Sequence, residues 1–381
     1  MNRKIRIAQI ITRMDWGGSP DLVHILCEGL DPSLYDVTLI SGYTRHATER
    51  TAEFLKRFQG RYLIVPQLMR DIELIHDAIA LIRLFVILRL GKFDVVHTHT
   101  AKAGALGRLA ARMAGVKVIV HSPHGHNLYG YFSPAKTRLI IKIERFLSRF
   151  TDRIIALTQL EKKDYLAHSI GSPANIDVIY AGIDVKERGS CLKPDIRLRE
   201  RVKCSLNIPA DSNVVGMIGR LEQVKGPDYF VQAAMRIARL RDDTCFVLIG
   251  DGSLKNKLER RVFSEGFKDR ILFAGWKENI SDMLSILDVM VLPSLNEAVG
   301  LVLIEAQSQA IPVVASDVGG IPETIKQDVT GFLVPAGHEE KLAQAVLFLL
   351  DHPDRRLAMG QAAQEWVRER FQAGDMTAKI A

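Results

Sequence analysis

Val289-Met290-Val291-Leu292-Pro293-Ser294-Leu295-Asn296-Glu297-Ala298-Val299-Gly300-Leu301-Val302-Leu303-Ile304-Glu305-Ala306 holds the pattern on which the fold turns. Its first four residues are continuously apolar and β-branched or long, as in a strand covered on both faces. A loop follows, and a helix starts near Gly300. A strand whose carboxyl end feeds a loop and then a helix is the repeating unit of a doubly wound α/β sheet. Glu305 stands in the apolar run Leu301 to Ala306, where an ionised carboxylate is costly without partners.

The same alternation runs outward in both directions. Before it, strands are expected at Ile5–Ile11, Val37–Ile40, Arg61–Val65, Val95–Thr98, Val118–His121, Arg153–Ala156 and Asp177–Tyr180. Segments of helical period lie between them: Asp21–Leu30, Ile72–Leu90, Ala103–Ala114 and Thr137–Phe150. The stretch Asp184–Ser212 breaks the rhythm and reads as a linker with a short helix. Strands then resume at Val214–Ile218, Phe246–Ile249, Ile271–Ala274, Val289–Leu292, Val313–Ala315 and Phe332–Val334, and helices Glu339–Leu350 and Asp354–Phe371 close the chain. The expected organisation is α/β: two doubly wound, Rossmann-like domains over 1–184 and 213–365, a linker at 185–212, and a short segment near 366–381 packing back on the first domain. Ligands of such sheets bind outside the carboxyl ends of the strands, and a cleft between two such domains is the natural active site.

Composition narrows the classes. The chain has 381 residues, 47% hydrophobic and 25% charged, which is ordinary globular usage. Its four cysteines, Cys27, Cys191, Cys204 and Cys245, are scattered and form no C-x-x-C. A disulfide framework or zinc ribbon is not expected, and a reducing compartment, the cytoplasm, is. No apolar run is long enough to span a bilayer, since Ala78–Leu90 is broken by Arg83 and Arg89. The first 184 residues hold 25 Lys/Arg against 17 Asp/Glu, the remainder 26 against 27. A basic half suits nucleic acid, an anionic membrane surface or a phosphorylated ligand. No interleaving of basic and aromatic residues supports nucleic acid.

Absent motifs exclude further classes. G-x-G-x-x-G, the P-loop and G-x-S-x-G are missing, as is any aspartate pair at i and i+2. Three loops carry chemistry instead. Trp16-Gly17-Gly18-Ser19-Pro20-Asp21 follows the first strand, with Ser19 placed as N-cap and Pro20 as first helical residue. Gly219-Arg220-Leu221-Glu222-Gln223-Val224-Lys225-Gly226 sets a planar fork and a point charge at a strand end, a combination suited to a diphosphate. Glu297 and Glu305 are separated by at most about 12 Å of helix, comparable to the distance from sugar to ribose in a nucleotide diphosphate sugar.

This constellation resembles the retaining nucleotide-sugar glycosyltransferases of the GT-B fold, also called glycosyl transferases group 1 or family 4. The resemblance rests on Glu297 and Glu305 at the E-x7-E spacing, on Gly219 to Gly226, and on Gly319-Gly320-Ile321-Pro322-Glu323. Gly250-Asp251-Gly252 and Gly331-Phe332-Leu333-Val334 match too, and Val96 to Gly104 with His124-Gly125 resembles the capsule, exopolysaccharide and lipopolysaccharide subgroup. It implies transfer of a sugar, with retention, from a nucleotide diphosphate sugar, UDP favoured, to a saccharide or lipid-linked acceptor, without an essential metal or other cofactor. Arg220 and Lys225 would neutralise the diphosphate, Glu305 hold the ribose and Glu297 meet the transferred sugar. Gly18, Gly219, Gly250 and the amides of Gly300 and Leu301 would lie at the donor, and His124 near the reacting carbon. His99, Lys102 and His126 would face the acceptor. A 2-epimerase of the same architecture and a non-catalytic nucleotide-sugar binder are the alternatives. Ser19-Pro20 departs from the acidic or aliphatic residue that many relatives carry after the Gly-Gly pair, and the last segment is shorter than usual.

Two features invite other readings. His97, His99, His121, His124 and His126 cluster in two segments, but no cysteine or acid stands at metal spacing beside them. On Thr137–Phe150, Arg138, Lys142, Arg145 and Arg149 form one stripe, and Leu139, Ile143, Phe146 and Phe150 another. A basic amphipathic helix suits an anionic membrane surface, here the inner face of the cell membrane; the other reading places its apolar face on the sheet.

Overall fold

The computed structural model describes residues 3–15, 17–44, 48–125, 128, 133–184 and 196–381. The chain divides into two compact units, one of Met1–Gly182 with Ala373–Ala381 and one of Ile183–Gln372. The first contains β1 (Ile5–Ile11), α1 (Gly18–Gly29), β2 (Tyr35–Ser41), α2 (Glu49–Arg57), β3 (Arg61–Ile64), α3 (Leu74–Gly91), β4 (Val95–His99), α4 (Ala101–Ala114), β5 (Val118–Ser122), α5 (Pro134–Ser148), β6 (Arg153–Ala156), α6 (Gln159–Ala167) and β7 (Ile176–Val178). Its seven strands are all parallel, in the order β3-β2-β1-β4-β5-β6-β7.

The second unit contains α7 (Ile196–Ser205), β8 (Asn213–Ile218), α8 (Pro227–Ala238), β9 (Thr244–Ile249), α9 (Lys255–Ser264), β10 (Ile271–Gly275), α10 (Ile280–Ser285), β11 (Val289–Leu292), α11 (Leu301–Ser308), β12 (Val313–Ser316), β13 (Gly331–Val334), α12 (Glu339–Asp351) and α13 (Pro353–Arg370). Its parallel sheet runs β10-β9-β8-β11-β12-β13. In each sheet the order reverses once, between β1 and β4 and between β8 and β11. Helices leave the two sides of that point in opposite directions, so a crevice opens outside the carboxyl ends of those strands.

Period-two alternation distributes each strand between two cores. In β1, Ile7 and Ile11 pack with Leu26, Leu39 and Phe54 on one face, and Ala8 and Ile10 with Leu84, Val96 and Ala110 on the other. Strands β3 to β6 advance in one direction across the sheet, so right-handed crossovers place α3, α4 and α5 in one layer, and α4 touches both neighbours. Small residues bring α4 close to the sheet. A Cβ on Gly104 would stand 2.4 Å from His121 Cε1, and one on Gly107 would stand 2.7 Å from Thr98 Cγ2.

Several boundaries differ from expectation. The helix after β1 begins at Gly18 with Gly17 as N-cap, so Ser19 and Pro20 lie inside its first turn. Residues 196–212 are no free linker, for Val202 and Ile208 join the second unit's core and α7 packs on α10. Residues 185–195 lie outside the described residues. The segment that joins the first unit is α14 (Ala373–Ile380). It packs on α1, where a Cβ on Gly29 would fall 2.7 Å from Thr377 Oγ1, and Tyr35 donates to the carbonyl of Ala381 at 3.0 Å.

Gly104→Ala should therefore lower the first unit's stability by about 1–3 kcal/mol, since neither the buried His121 ring nor the sheet can give way freely. Gly374→Ala, whose Cβ would meet nothing within 4 Å, serves as the control and should leave the melting temperature unchanged or slightly raised. Thermal unfolding of both variants decides it.

Candidate functional site

The crevice of the second sheet is built by backbone in close contact. A Cβ on Gly226 would lie 2.0 Å from the carbonyl oxygen of Pro293, one on Gly250 2.0 Å from that of Gly219, and one on Gly319 1.8 Å from that of Glu297. Hydrogen bonds complete the joins: Leu295 N–H donates to Val224 at 2.8 Å, Gly320 N–H to Glu297 at 3.1 Å, and Leu221 N–H to Asp251 at 2.9 Å. Glu222 accepts from Ser253 N–H at 2.9 Å and from its hydroxyl at 2.6 Å, which holds its carboxyl below the usual range.

On this platform Lys225 and Glu297 form an ion pair, both largely shielded from solvent. The hydroxyl of Ser294 lies 3.4 Å from the same carboxylate oxygen. Arg220 is half-buried and, among the described residues, its guanidinium has no hydrogen bond or ion pair. Gly300 caps α11 with a positive φ of 73°, the region that favours glycine. Leu301 opens the helix, and Glu305 is buried one turn in, 8% exposed. Gly219, Arg220, Lys225, Gly250, Glu297, Gly300, Leu301 and Glu305 thus gather around the reversal point between β8 and β11.

The first sheet presents a different chemistry at its own reversal point. Thr12 after β1 and Thr100 after β4 share a hydrogen bond of 3.0 Å between hydroxyls. Thr100 has φ 66° and His124 φ 54°, left-handed backbone that costs of order 1–3 kcal/mol in such residues and clusters at functional sites. Gly18 opens α1 in the same crevice. His97 and His99 point to one face and His121 to the other, as alternation in paired strands requires.

The histidines form a directed chain. Burial holds His97 at about 3 and His124 at about 4, against an ordinary 6.5, and pushes His99 well below it, so all three rings are neutral near pH 7. Gln9 Oε1 can only accept, so His99 Nε2 donates to it at 2.7 Å. His99 Nδ1 is then an acceptor, and His124 Nε2 donates to it at 2.8 Å. That leaves His124 Nδ1 as a bare lone pair, and this buried atom has no partner among the described residues. His97 bonds Ser122 Oγ at 2.8 Å and tilts against His99, ring centres 4.2 Å apart. Among the described residues no cluster of metal-ligating type exists.

Other expected residues take other places. Lys102 turns its ammonium to Asp77, 2.5 Å away, and to the carbonyl of Asp71, tying α4 to α3. His126 lies outside the described residues. Arg138, Lys142, Arg145 and Arg149 are exposed on or at the end of α5. Leu139, Ile143 and Phe146 of the apolar stripe are exposed as well, and only its last member, Phe150, packs against the core. The helix meets α4 through Glu144, which accepts from the fully buried Arg108 at 2.8 and 2.9 Å. Gln9 was missed, although a lone amide inside an apolar strand is a signal of a buried hydrogen bond.

Two family models match the chain: Glycosyl transferases group 1 over residues 199–366 and Glycosyltransferase Family 4 over residues 16–187. An Escherichia coli protein named UDP-Gal:alpha-D-GlcNAc-diphosphoundecaprenol alpha-1,3-galactosyltransferase is 34% identical over 324 residues, 83% of this chain and 80% of that one. A 2-deoxystreptamine glucosyltransferase of Streptomyces kanamyceticus is 31% identical, covering 70% and 69%. Among solved structures, Anabaena HepE in complex with UDP and glucose aligns with TM-score 0.83 at 20% identity, covering 99% of this chain and 98% of that one. The lipopolysaccharide glycosyltransferase WaaG aligns with TM-score 0.77 at 17% identity, covering 98% and 99%.

Five burial-depressed or unpartnered rings stand in the first unit: His24, held at about 3, with His97, His99, His121 and His124. Each binds its proton more tightly in the unfolded chain. Stability is therefore complete above pH 6.5 and falls as the pH drops below it, by about 1.4 kcal/mol per unit for each ring. Acid should unfold the first unit between about pH 6 and 4.5, followed by circular dichroism and melting curves. A melting temperature constant over that interval would contradict the burial of these rings.

Proposed function

The chain belongs to the glycosyl transferases group 1, a GT-B protein of two Rossmann-like halves, and we propose that it moves a hexose from a UDP-sugar to a saccharide or lipid-linked acceptor with retention at the anomeric carbon. The observation that carries this reading is that the guanidinium of the half-buried Arg220, which acts on Glu222 only through space, makes no hydrogen bond or ion pair among the described residues, in the same strand-end loop as the Lys225 that pairs with Glu297. A guanidinium without a partner in a shielded crevice is matched to a ligand anion that binds bidentately. Lys225 reaches the same anion as a point charge, and the N-terminus of α11 at Gly300 and Leu301 adds backbone donors.

Donor binding would redistribute the ion pair. As the diphosphate takes up Lys225, Glu297 is released to accept from hydroxyls of the sugar, and Glu305 to hold those of the ribose. The family resemblance assigns Gly18 to the phosphates and His124 to the sugar. In the reaction the bond from the anomeric carbon to the diphosphate breaks. The acceptor oxygen bonds to that carbon on the same face and passes its proton to the leaving phosphate. Cationic side chains and helix dipoles stabilise the charge that develops there, the role a metal fills elsewhere. UDP is favoured because the Escherichia coli relative is named for UDP-Gal and the HepE structure contains UDP. The alpha product in that relative's name supports retention, since common UDP-hexoses are alpha-linked.

A lipid-linked acceptor calls for a membrane surface, and the exposed stripe Arg138, Lys142, Arg145 and Arg149 on α5 suits an anionic one. Among the described residues no helix is long and apolar enough to cross a bilayer.

Arg220→Ala should weaken UDP binding by about 10- to 100-fold, the loss of one charge-assisted contact of about 1.5–3 kcal/mol. Glu297→Gln should leave UDP affinity unchanged or raised, since it frees Lys225, while transfer falls by at least about tenfold. Calorimetry with UDP and a sugar-transfer assay separate the two; unchanged affinity in Arg220→Ala would remove the diphosphate from this crevice. Turnover should persist in excess chelator, and its complete loss with recovery on adding Mg²⁺ or Mn²⁺ would overturn the metal-free assignment.

A further inference from the structure

The longest apolar stretch of the chain forms α3, and only one side of that helix is covered. Ala80, Leu84 and Leu88 are buried in the core. Ile75, Ile79, Ile82, Val86 and Leu90 are exposed, Ile75 at 76%, Ile82 at 62% and Leu90 at 75%. Their spacing of four, three, four and four places them on one face of the helix, about 22 Å from end to end at 1.5 Å per residue. Leu74 and Ile72 extend the patch beyond its start. A contiguous aliphatic surface of this size on a folded chain marks an interaction site.

The charge around it selects the partner. Residues 74–149, which run through α3, α4 and α5, hold twelve Lys/Arg and three acids, Asp77, Asp94 and Glu144. All three are engaged: Asp77 pairs with Lys102, Asp94 pairs with Arg3 and accepts from the backbone of Arg6, and Glu144 lies buried against Arg108. Arg83 and Arg89 on α3 and Lys92 at its end are exposed and, among the described residues, have no ion pair. The exposed acids that flank this stretch are Asp71 and Glu73 before it, the latter bonded to His76, and Asp152 after it. A second copy of the chain docking symmetrically here would set cations against cations. An aliphatic stripe flanked by unpaired cations matches acyl chains beneath anionic headgroups.

We propose that the exposed face of α3 inserts into an anionic bilayer, lying in its plane with Ile79, Ile82 and Val86 among the acyl chains and Arg83 and Arg89 at the headgroups. This rests on the membrane half of the function proposed above and divides the work between two helices of one layer. The cations of α5 supply an attraction that salt screens, and α3 supplies an apolar contact that salt leaves intact.

The test is sedimentation of the full chain with vesicles of phosphatidylcholine, with and without phosphatidylglycerol, at low and high salt. The wild type should bind the anionic vesicles and keep part of that binding at high salt. Ile79→Gln/Ile82→Gln/Val86→Gln should bind at least about tenfold more weakly and lose the salt-resistant part, with an unchanged melting temperature because the three side chains are exposed. Arg138→Gln/Lys142→Gln/Arg145→Gln/Arg149→Gln should lose only the salt-sensitive part. Wild-type binding by the α3 variant would overturn insertion. So would a wild-type dimer, seen by light scattering, that the α3 variant splits, because the face would then be a self-contact. Transfer from UDP-sugar to a water-soluble acceptor, assayed alongside, reports on the transferase reading alone, since α3 carries no donor residue.

Discussion

A Cβ on Gly319 would lie 1.8 Å from the carbonyl oxygen of Glu297, and that near-contact of two backbones governs the donor crevice. Glu297 has no helix to hold it, for α11 begins four residues later. Its position comes from Gly320 N–H donating to its carbonyl, from the ion pair with Lys225, and from the hydroxyl of Ser294. Lys225 is fixed in turn by Gly226, whose positive φ lets the chain pass against Pro293. Three loops from separate strands are thus locked by contacts that only glycine permits. Such a base holds the backbone around Lys225 and Glu297 fixed while their side chains stay free to change partners.

The two crevices solve the same topological problem with opposite electrostatics. At β8/β11 the groups are charged, two cations, Arg220 and Lys225, beside two carboxylates, Glu297 and Glu305. At β1/β4 they are neutral imidazoles, an amide and hydroxyls, linked in one chain from Gln9 to His124. Burial keeps those rings uncharged, and the acceptor-only oxygen of Gln9 fixes which nitrogen of each carries the proton. Neutral donors and acceptors discriminate hydroxyl patterns, and cations discriminate anions. One crevice accordingly offers neutral hydrogen-bonding groups, and the other offers two cations with two carboxylates.

Most strands were legible because a parallel sheet buries both faces, so each reads as a short apolar run between helical periods. Glu305 was legible for the converse reason: an acid in an apolar run must be buried for a purpose. What failed was local. Ser19-Pro20 looks like a helix start, yet Gly17 supplies the turn and the helix begins earlier. Residues 196–212 look like a linker because α7 is rich in arginine and lysine, but Val202 and Ile208 bury enough to join the core. The ammonium of Lys203 stays satisfied by the carbonyls of Ala210 and Ser212. Composition registers the charge and not the carbonyls that receive it.

The apolar helix α3 shows where periodicity stops informing. Leucine, isoleucine and valine on all sides are the pattern of a fully buried helix. A helix in the outer layer of an α/β unit, however, has only one side against the sheet. Burial of Ala80, Leu84 and Leu88 fixes that side, and the isoleucines between them are left facing outward by geometry alone. A soluble layer helix would carry polar residues there, as α12 does with Glu339, Glu340, Lys341 and Gln344 on its exposed or half-exposed positions. The sequence of α3 therefore contradicts its place in the fold, and such a contradiction between pattern and position is where selection for something other than folding is to be sought. A weaker form recurs on α5, which buries the Arg108–Glu144 pair beside Leu147 and leaves Leu139, Ile143 and Phe146 exposed among the cations Arg138, Lys142, Arg145 and Arg149. The two helices stand in one layer with α4 between them, and each carries outward the aliphatic residues that a solvent-facing helix would replace with polar ones.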